Sequence, residues 1–375
     1  MVTPLCPYHG VCGGCSTQHI SYEQQVEQKK QALARVVDLA EITVFTEKPY
    51  FYRNRMDLQF YPGGIGLRKK GHGDILPIER CVIAEEPLNK LLAVLRDFFN
   101  RQSPVKGAYS SVILRCTSLK ETALCFVLHE NSPKRQEALS QIEQFASSAA
   151  VNGVDTIIVS FSSSDAFSEE FLVIKGEPVL QETFLGKTFF FPVQGFFQNN
   201  HALAEQMHQY CRKLLQQHDT LGGHLLDLYA GVGTFGIINA DLFQSVAIVE
   251  NMPLSIKAAE RNAAVNSVKN SKFYPLDTGK FLKASLQKGS FLKGSSSCPV
   301  FVIADPPRIG LEEKAIQHLV QMQPEAIIYI SCNIQRLAKE LPKFKGYQVK
   351  SAALFDFFPQ TPHSEAVVEL VRKKG

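Results

Sequence analysis

Two side chains late in the sequence could carry out covalent chemistry. Cys332 stands in YISCN, directly after an apolar run that predicts a strand and before IQRLAKEL, which predicts a helix. The amides at a helix start favour the nucleophilic thiolate, so we expect a lowered pKa for Cys332. Glu365, in TPHSEAVVEL, begins a later predicted strand and is a candidate general base, with His363 as a second candidate. Alternatively, Cys332 is a small buried hydrophobe and Glu365 an exposed acid at a strand edge.

A glycine-rich loop joins a predicted strand to a predicted helix in LLDLYAGVGTFG. Gly231, Gly233 and Gly236 permit tight turning and a close approach of the backbone to a ligand. The next predicted strand, QSVAIVE, ends in Glu250. An acid about 20 residues after the first glycine can accept hydrogen bonds from both ribose hydroxyls of a nucleotide. The loop therefore predicts an adenosine-containing cofactor, and by itself it fits NAD as well as S-adenosylmethionine.

A second motif separates these cofactors. PVFVIADPPR ends a predicted strand with Asp305 and two prolines, which fix an extended chain where ligands bind in open sheets. Methyltransferases that act on planar nitrogenous bases often carry such a triplet there, and dehydrogenases have no need for it. The motif therefore favours S-adenosylmethionine, and a methyltransferase over an oxidoreductase.

Aromatic and amide side chains are concentrated in FFPVQGFFQNN, before the predicted nucleotide-binding unit. Gln198 could bind the cofactor or a base, and Phe196 or Phe197 could stack on a flipped base. Core packing is the alternative for the phenylalanines.

The densest basic stretch is a candidate contact for nucleic-acid phosphates, or alternatively a solvated hairpin face. Its members are Arg53, Arg55, Arg68, Lys69 and Lys70. The net charge of +4 permits an RNA partner without arguing for one. We see no secretion signal and no apolar run long enough for a membrane helix, so we expect a cytoplasmic enzyme without a membrane partner. The sequence does not fix the oligomeric state, and we favour a monomer.

Three cysteines lie close together at the start of the chain, Cys6, Cys12 and Cys15, and Cys81 is the candidate for a fourth ligand. Four cysteines suit zinc or an iron–sulfur cluster, and the spacing alone does not choose between them. The alternative is four unligated thiols. An odd total of nine cysteines argues against a disulfide framework. We assign the remaining ones to packing: Cys116, Cys125, Cys211 and Cys298.

The elements that must position these residues predict an α/β protein in three parts. Residues 1–43 are the cysteine segment and a helix from Ser21 to about Leu39. Residues 44–185 read as an α+β domain with a hairpin turning at Pro62-Gly63-Gly64. Residues 186–375 alternate short apolar strands with helices, which predicts a Rossmann-like parallel sheet covered on both faces. Two final strands without a helix between them predict an antiparallel hairpin.

A thiol and a base at the edge of such a sheet suit one difficult reaction. Carbon 5 of uracil is a poor nucleophile, but a thiolate adding to carbon 6 makes an enolate that places electron density on carbon 5. That carbon can then attack the methyl group of a sulfonium ion. A base must afterwards remove the hydrogen at carbon 5 so that the thiolate can leave.

The motifs FFQNN, DLYAGVGTFG, IVEN, DPPR, SCN and HSE, in this order, resemble the bacterial RNA uridine-5 methyltransferases over essentially the whole chain. The family often has Cys where this chain has Ala230, a position with no role in the chemistry above. The resemblance implies a nucleophile, a base and a set of cofactor or substrate contacts: Cys332, Glu365, and then Gln198, Tyr229, Glu250 and Asp305.

PLCPYHGVCGGC also matches the cysteine pattern of the ribosomal RNA branch of this family. The match implies a 4Fe-4S cluster held by Cys6, Cys12, Cys15 and Cys81. Many family members begin with a small β-barrel RNA-binding domain, whereas this chain starts at its cysteines. In this respect the chain looks most like the short family members that methylate 23S ribosomal RNA. We therefore take 23S ribosomal RNA as the expected substrate.

Three alternatives stay open. The substrate could be a transfer RNA, because short chains of this fold act on it too. A methyltransferase of exocyclic amines would use Asp-Pro-Pro but no thiol. An RNA-binding or redox-sensing protein could keep the fold without catalysis, although Cys332 and Glu365 speak against it.

Overall fold

The fold is described from a computed structural model, which covers residues 2–162, 170–288 and 298–373. The chain begins with a cysteine-containing loop and a helix capped by Ser21, whose hydroxyl accepts a hydrogen bond from the amide of Gln24. This helix confirms the predicted one, and a short strand follows it. The two elements are α1 (Tyr22–Val37) and β1 (Thr43–Phe45).

The central part folds around a seven-stranded sheet with strand order β4-β3-β2-β5-β6-β7-β8. Strands β2 and β3 pair antiparallel, as the predicted hairpin requires. Helices α2 and α3 supply apolar side chains to its core. The elements are β2 (Arg55–Tyr61), β3 (Gly64–Arg68), β4 (Ile75–Leu76), α2 (Glu86–Arg101), β5 (Tyr109–Cys116), β6 (Thr122–His129), α3 (Arg135–Ala146), β7 (Thr156–Ser162) and β8 (Phe171–Lys175).

A two-stranded hairpin, β9 (Val179–Phe184) and β10 (Lys187–Pro192), leads into the C-terminal part. The remaining elements alternate until the last two strands. They are α4 (His201–Gln216), β11 (His224–Leu228), α5 (Thr234–Ile238), β12 (Ser245–Val249), α6 (Pro253–Val265), β13 (Ser271–Tyr274), α7 (Thr278–Lys288), β14 (Val300–Ala304), α8 (Glu313–Met322), β15 (Ala326–Ser331), α9 (Ile334–Glu340), β16 (Tyr347–Phe355) and β17 (Glu365–Arg372).

These strands form an eight-stranded sheet with the order β1-β16-β17-β15-β14-β11-β12-β13. Strand β17 is antiparallel to both of its neighbours, and the other pairings are parallel. The order from β13 to β15 is that of a Rossmann-like fold, so the predicted parallel sheet is confirmed. The predicted final hairpin is confirmed as well, because β16 pairs with β17.

Both faces of this sheet are buried, because successive side chains of a strand point to opposite sides. Leu225 and Ile303 belong to one apolar cluster, whereas the adjacent Leu226 and Val302 belong to the other. The near-continuous apolar runs seen in the sequence follow from this double burial. None of the helices in the described ranges is long and apolar enough to span a membrane.

The predicted division into three parts stays a prediction, and two features cross its boundaries. Strand β1, at the first boundary, pairs with β16 and so joins the C-terminal sheet. Its three residues are too few for a periodic signal. The second boundary, after residue 185, falls in the turn between β9 and β10, which pair with each other.

Candidate active site

The eight-stranded sheet gathers the predicted site residues at one edge. Strands β11, β12 and β14 end side by side, because Leu228 pairs with Val249 on one side and with Ala304 on the other. Strand β15 continues this edge next to β14. The carboxyl ends of such strands form the crevice where ligands bind in open α/β sheets. The residues that directly follow the four strands are Tyr229, Glu250, Asp305 and Cys332.

Strand β17 brings Glu365 to the same edge. It runs antiparallel to β15, with Ser331 paired to Ala366. The residue that follows Ser331 is Cys332, and the residue that precedes Ala366 is Glu365. Because the strands are antiparallel, these two residues lie opposite each other. The candidate nucleophile and the candidate base are therefore neighbours because of the reversed strand.

The expected lowering of the Cys332 pKa is wrong. Burial raises the pKa of this thiol to about 12, and the nearby Glu365 and Asp305 carboxylates add to the shift, whereas Arg308 opposes it. Helix α9 has only seven residues. Its amides therefore offset little of the cost of an ionised thiol in a buried, acidic surrounding.

The two carboxyls beside the thiol also hold their protons more tightly than usual. Burial raises the pKa of Glu365 well above its ordinary value, with Asp305 adding to the shift and Arg308 opposing it. Burial likewise raises the pKa of Asp305 to about 7. The site therefore combines three acidic groups whose ionised forms are disfavoured by burial, and a neighbouring cation opposes this effect for Cys332 and Glu365.

That cation is Arg308, to which we assigned no role from the sequence, although the motif DPPR contains it. Its Nη2 lies 2.9 Å from Nδ1 of the exposed His363. Its carbonyl accepts a hydrogen bond from the side-chain amide of Asn333, at 3.3 Å. Partial desolvation of the ring lowers the pKa of His363, and the charges of Arg308 and Lys29 lower it further. The imidazole is thus held in its neutral form beside the guanidinium.

The glycine loop has the conformation that its residues predict. Tyr229, Gly231 and Gly233 have φ values of 59°, 54° and 81°, in the left-handed region that favours glycine. Glu250 holds the loop, because its carboxylate accepts hydrogen bonds from the amides of Gly231, at 2.9 Å, and Met252, at 2.8 Å. Each carboxylate oxygen has a second lone pair that could accept a ligand hydroxyl.

Asp227, inside strand β11, supports the same loop and received no role from the sequence. Its carboxylate accepts a hydrogen bond from the amide of Gly236, at 2.7 Å. A Cβ added at Gly236 would lie only 2.9 Å from that carboxylate. Burial raises the pKa of Asp227 to about 8. The sequence feature that could have identified Asp227 is an acid within the otherwise apolar run LLDLY.

The two adjacent phenylalanines of the aromatic and amide loop after β10 have different surroundings. Phe197 is buried and stacks on Phe191 with ring centroids 4.0 Å apart, so the core-packing alternative holds for it. Phe196 is 68% exposed, so its ring is open to a ligand. Gln198 is half-buried, and its backbone carbonyl accepts a hydrogen bond from the side-chain amide of Asn54.

The central sheet fixes this loop with two arginines. The fully buried Arg115 of β5 donates to the carbonyl oxygens of Val193, at 2.8 Å, and Gly195. Arg55 of β2 donates to the Gly195 carbonyl as well, at 3.3 Å. Arg115 received no role from the sequence, where it appears as a single charge in the apolar strand SVILRC. Its buried charge has its partners in the distant loop.

Several of the basic side chains in the candidate phosphate contact already pair with other groups of the protein. Arg55 also pairs with Asp57, and Arg53 donates to the carbonyl of Arg55. Lys69 lies 3.6 Å from Asp74, and Lys70 is exposed. A contact with RNA phosphates therefore stays a prediction.

The four predicted metal-binding cysteines line one cavity of about 160 Å³. The loop of Cys12 is tied to the hairpin of the central sheet, because Gly13 donates its amide to the carbonyl of Arg68 and Lys70 donates to that of Val11. Cys81 is held by Asn89, which accepts from its amide at 2.8 Å and donates to its carbonyl. In the described residues no three His, Cys, Asp or Glu side chains are arranged to hold a metal ion.

Three of the four cysteines assigned to packing are buried, as that assignment requires. Cys116, Cys125 and Cys211 are buried, and Cys298 is half-buried.

The chain is similar to RNA methyltransferases along its length. The profile of the family described as tRNA (Uracil-5-)-methyltransferase matches residues 21–373. An uncharacterized RNA methyltransferase of Caldanaerobacter subterraneus subsp. tengcongensis is 31% identical, over 96% of this chain and 83% of the relative. One of Listeria innocua is 30% identical, over 99% and 84%. The crystal structure of the Pyrococcus abyssi tRNA (uracil-54, C5)-methyltransferase in complex with S-adenosyl-L-homocysteine matches with a TM-score of 0.74 and 25% identity, over 99% and 88%.

The nucleotide loop at the carboxyl edge of a Rossmann-like sheet fits an adenosine-containing cofactor, and the matching family and structure identify the chain as an S-adenosylmethionine-dependent methyltransferase. Within that class the chain belongs to the RNA uracil-5 methyltransferase family, because the family profile covers most of its length.

Proposed function

We propose that this protein methylates carbon 5 of a uridine in RNA through a covalent bond between Cys332 and carbon 6 of the base. The pairing of β15 with β17 carries the proposal, because it sets Cys332 opposite Glu365 at the edge that holds the nucleotide loop. A methyltransferase of exocyclic amines would need no thiol at this place.

The reaction begins when Cys332 loses its proton to solvent and the thiolate forms a bond to carbon 6. The ring becomes an enolate, and its carbon 5 attacks the methyl group of the sulfonium ion, whose carbon–sulfur bond breaks. Glu365 then removes the hydrogen from carbon 5. The electron pair restores the carbon 5–carbon 6 double bond, and the thiolate leaves. One 5-methyluridine and one S-adenosylhomocysteine result.

The cofactor supplies an electrophilic methyl group, and the residues at the sheet edge bind it. We assign the ribose hydroxyls to Glu250 and the close backbone approach to Gly231 and Gly233. Gln198, Tyr229 and Asp305 complete the contacts with the cofactor or the base. The exposed ring of Phe196, in the loop that carries Gln198, suits stacking on an unpaired base.

We further propose that Cys6, Cys12, Cys15 and Cys81 hold a 4Fe-4S cluster. The four thiols line one cavity of about 160 Å³. The cysteine pattern resembles that of the family branch with such a cluster, in which four thiolates are the usual ligands. The cluster would tie the N-terminal loop to the central sheet, and methyl transfer requires no electron from it.

Ribosomal RNA is the substrate that we favour, because the cysteine pattern resembles that branch of the family. Transfer RNA is the second candidate, since the similar Pyrococcus abyssi protein is a tRNA (uracil-54, C5)-methyltransferase.

A covalent trap tests the reaction and the substrate together. In RNA containing 5-fluorouridine, carbon 5 carries no removable hydrogen, so a thiol mechanism stops at the methylated adduct. We expect the protein to form a gel-stable adduct with 23S ribosomal RNA fragments and not with transfer RNA. Cys332→Ser should form none, and Glu365→Gln should accumulate adduct even on natural RNA.

Several outcomes would contradict the proposed mechanism or substrate. Turnover by Cys332→Ser at the normal rate would remove the covalent mechanism. Adduct with transfer RNA alone would transfer the proposal to that substrate, and normal turnover by Glu365→Gln would assign the base to another group such as His363.

A further inference from the structure

Helix α1 buries a stripe that includes two polar side chains. Its buried positions are four residues apart, and are Gln25, Lys29, Leu33 and Val37. Residues at this spacing share one face of a helix. Burying an amide and an ammonium group costs free energy unless each finds hydrogen-bond partners. Most of those partners lie in the loop of residues 356–364, which joins β16 to β17 and leads directly into Glu365.

Lys29 fixes the start of this loop. Its Nζ lies 2.6 Å from Oδ1 of Asp356, with the two side chains only 6% and 0% exposed. The same Nζ donates to the carbonyl of Phe358, at 3.3 Å. The amide of Asp356 donates in turn to the carbonyl of Phe45 in β1. The first residues of the loop are therefore held from two N-terminal elements.

Gln25 fixes the middle of the loop through a reciprocal pair of hydrogen bonds. Its Nε2 donates to Oε1 of Gln360, and its Oε1 accepts from the backbone amide of Gln360, both at 3.0 Å. Gln360 has a φ of 68°, which a side chain other than glycine rarely adopts. Its carbonyl accepts hydrogen bonds from the amides of Ser16 and Thr17. Both backbone groups of this strained residue thus depend on the N-terminal segment.

Ser16 directly follows Cys15, and Thr17 also donates its hydroxyl to Oε1 of Gln25, at 2.9 Å. The cysteine loop, helix α1 and the loop before Glu365 are therefore one hydrogen-bonded unit. His363 belongs to its far end, where its amide donates to the hydroxyl of Thr361.

We infer that Gln25 and Lys29 are positioning residues for the base, holding residues 356–364 so that Glu365 can remove the hydrogen from carbon 5. This inference rests on the proposed function. The base acts only after the adduct has formed, so loosening the loop slows release of the RNA more than its capture. A displacement of about 1 Å from the productive geometry can cost on the order of 100-fold in rate.

The test is Gln25→Ala, with the exposed neighbour Gln24→Ala as a matched control on the same helix. Enzyme, natural substrate RNA and S-adenosylmethionine are mixed, and the covalent fraction on denaturing gels is followed beside product formation. We expect Gln25→Ala to lose about 10- to 100-fold in turnover while the covalent fraction rises and S-adenosylmethionine binding is unchanged. Gln24→Ala should behave like the unaltered protein.

A general loss of stability would lower capture and turnover in proportion, and that result would overturn the inference, as would normal turnover. Should Gln25→Ala fail to fold, Gln360→Gly decides instead. It removes the side-chain partner of Gln25 while the positive φ becomes favourable, and the same rise of the covalent fraction is expected. If the unaltered protein forms no adduct with 5-fluorouridine RNA, the proposed function fails. If it does and both variants partition normally, only this inference fails.

Discussion

At the scale of single residues, the candidate site favours the protonated, unreactive form of its nucleophile, Cys332. The Cys332 thiol has a pKa of about 12, because it is buried beside Glu365 and Asp305. Arg308 opposes these effects on both Cys332 and Glu365. The ionised forms that the proposed reaction requires are therefore favoured by one guanidinium and by a rise in pH.

This predicts a specific pH dependence for Arg308→Gln. Ordinary turnover should rise with pH above neutrality, because groups with raised pKa values gain their reactive charge as protons leave. Without the guanidinium both pKa values rise further, so the profile should shift to higher pH and the rate at pH 7 should fall. Alkylation of Cys332 by iodoacetamide across pH values measures the shift directly. Arg35→Gln, an exposed arginine on α1, is the control, and an identical profile for both variants would contradict the role of Arg308.

Residue types in the sequence indicated most of the site but not its electrostatics. Cys332, Glu250 and Asp305 could be found because each directly follows an apolar strand, and such strand ends meet at one edge. The raised pKa of Cys332 could not be predicted, because its main cause is burial in the folded protein and its second cause, Glu365, is brought in by a strand from elsewhere in the sequence. Arg115 was missed for a similar reason, since its carbonyl partners belong to a loop far along the chain.

At the scale of elements, the glycine loop depends on two carboxylates from adjacent strands. Asp227 of β11 accepts from the amide of Gly236, and Glu250 after β12 accepts from those of Gly231 and Met252. Glu250 therefore shapes the loop before any ligand is bound. The alternation of strands and helices predicted this arrangement, whereas the double role of Glu250 needed the hydrogen bonds of the fold.

Glu250→Ala should weaken S-adenosylmethionine binding by about 1.5–3 kcal/mol, the usual size for hydrogen bonds to a charged group. Loss of the loop contacts adds to the effect, so we expect the upper half of this range. Isothermal titration calorimetry gives the dissociation constant. Glu260→Ala, an exposed acid on α6, should bind normally, and an unchanged constant for Glu250→Ala would mean that the ribose is held elsewhere.

At the scale of the whole molecule, the cysteine loop contacts both sheets. Its backbone pairs with the β3 hairpin of the central sheet, and Ser16 and Thr17 bind the loop beside β17 of the C-terminal sheet. A cluster at Cys6, Cys12, Cys15 and Cys81 would stabilise that junction rather than take part in methyl transfer.

Protein purified without oxygen should therefore be brown and contain about four iron atoms, the number expected for one cluster on four thiolates. Cys81→Ser should lose iron and lower the melting temperature, while S-adenosylmethionine binding persists, because its contacts lie at the other sheet. Cys116→Ser, a buried cysteine outside the cavity, should keep its iron. Colourless protein with one zinc atom would contradict the cluster but keep the ligands, and full iron content in Cys81→Ser would contradict the ligand set.

The position of β17 has a consequence for how the protein is made. This strand is the last element of the described chain, yet it lies between β15 and β16 and begins with Glu365. On the ribosome, the nucleotide loop and Cys332 emerge before the strand that completes the site. Helix α1 is also made long before its partner, because Gln360 lies 335 residues after Gln25. Contacts this distant in sequence form slowly, so a growing chain carries its thiol without its base until β17 has been made.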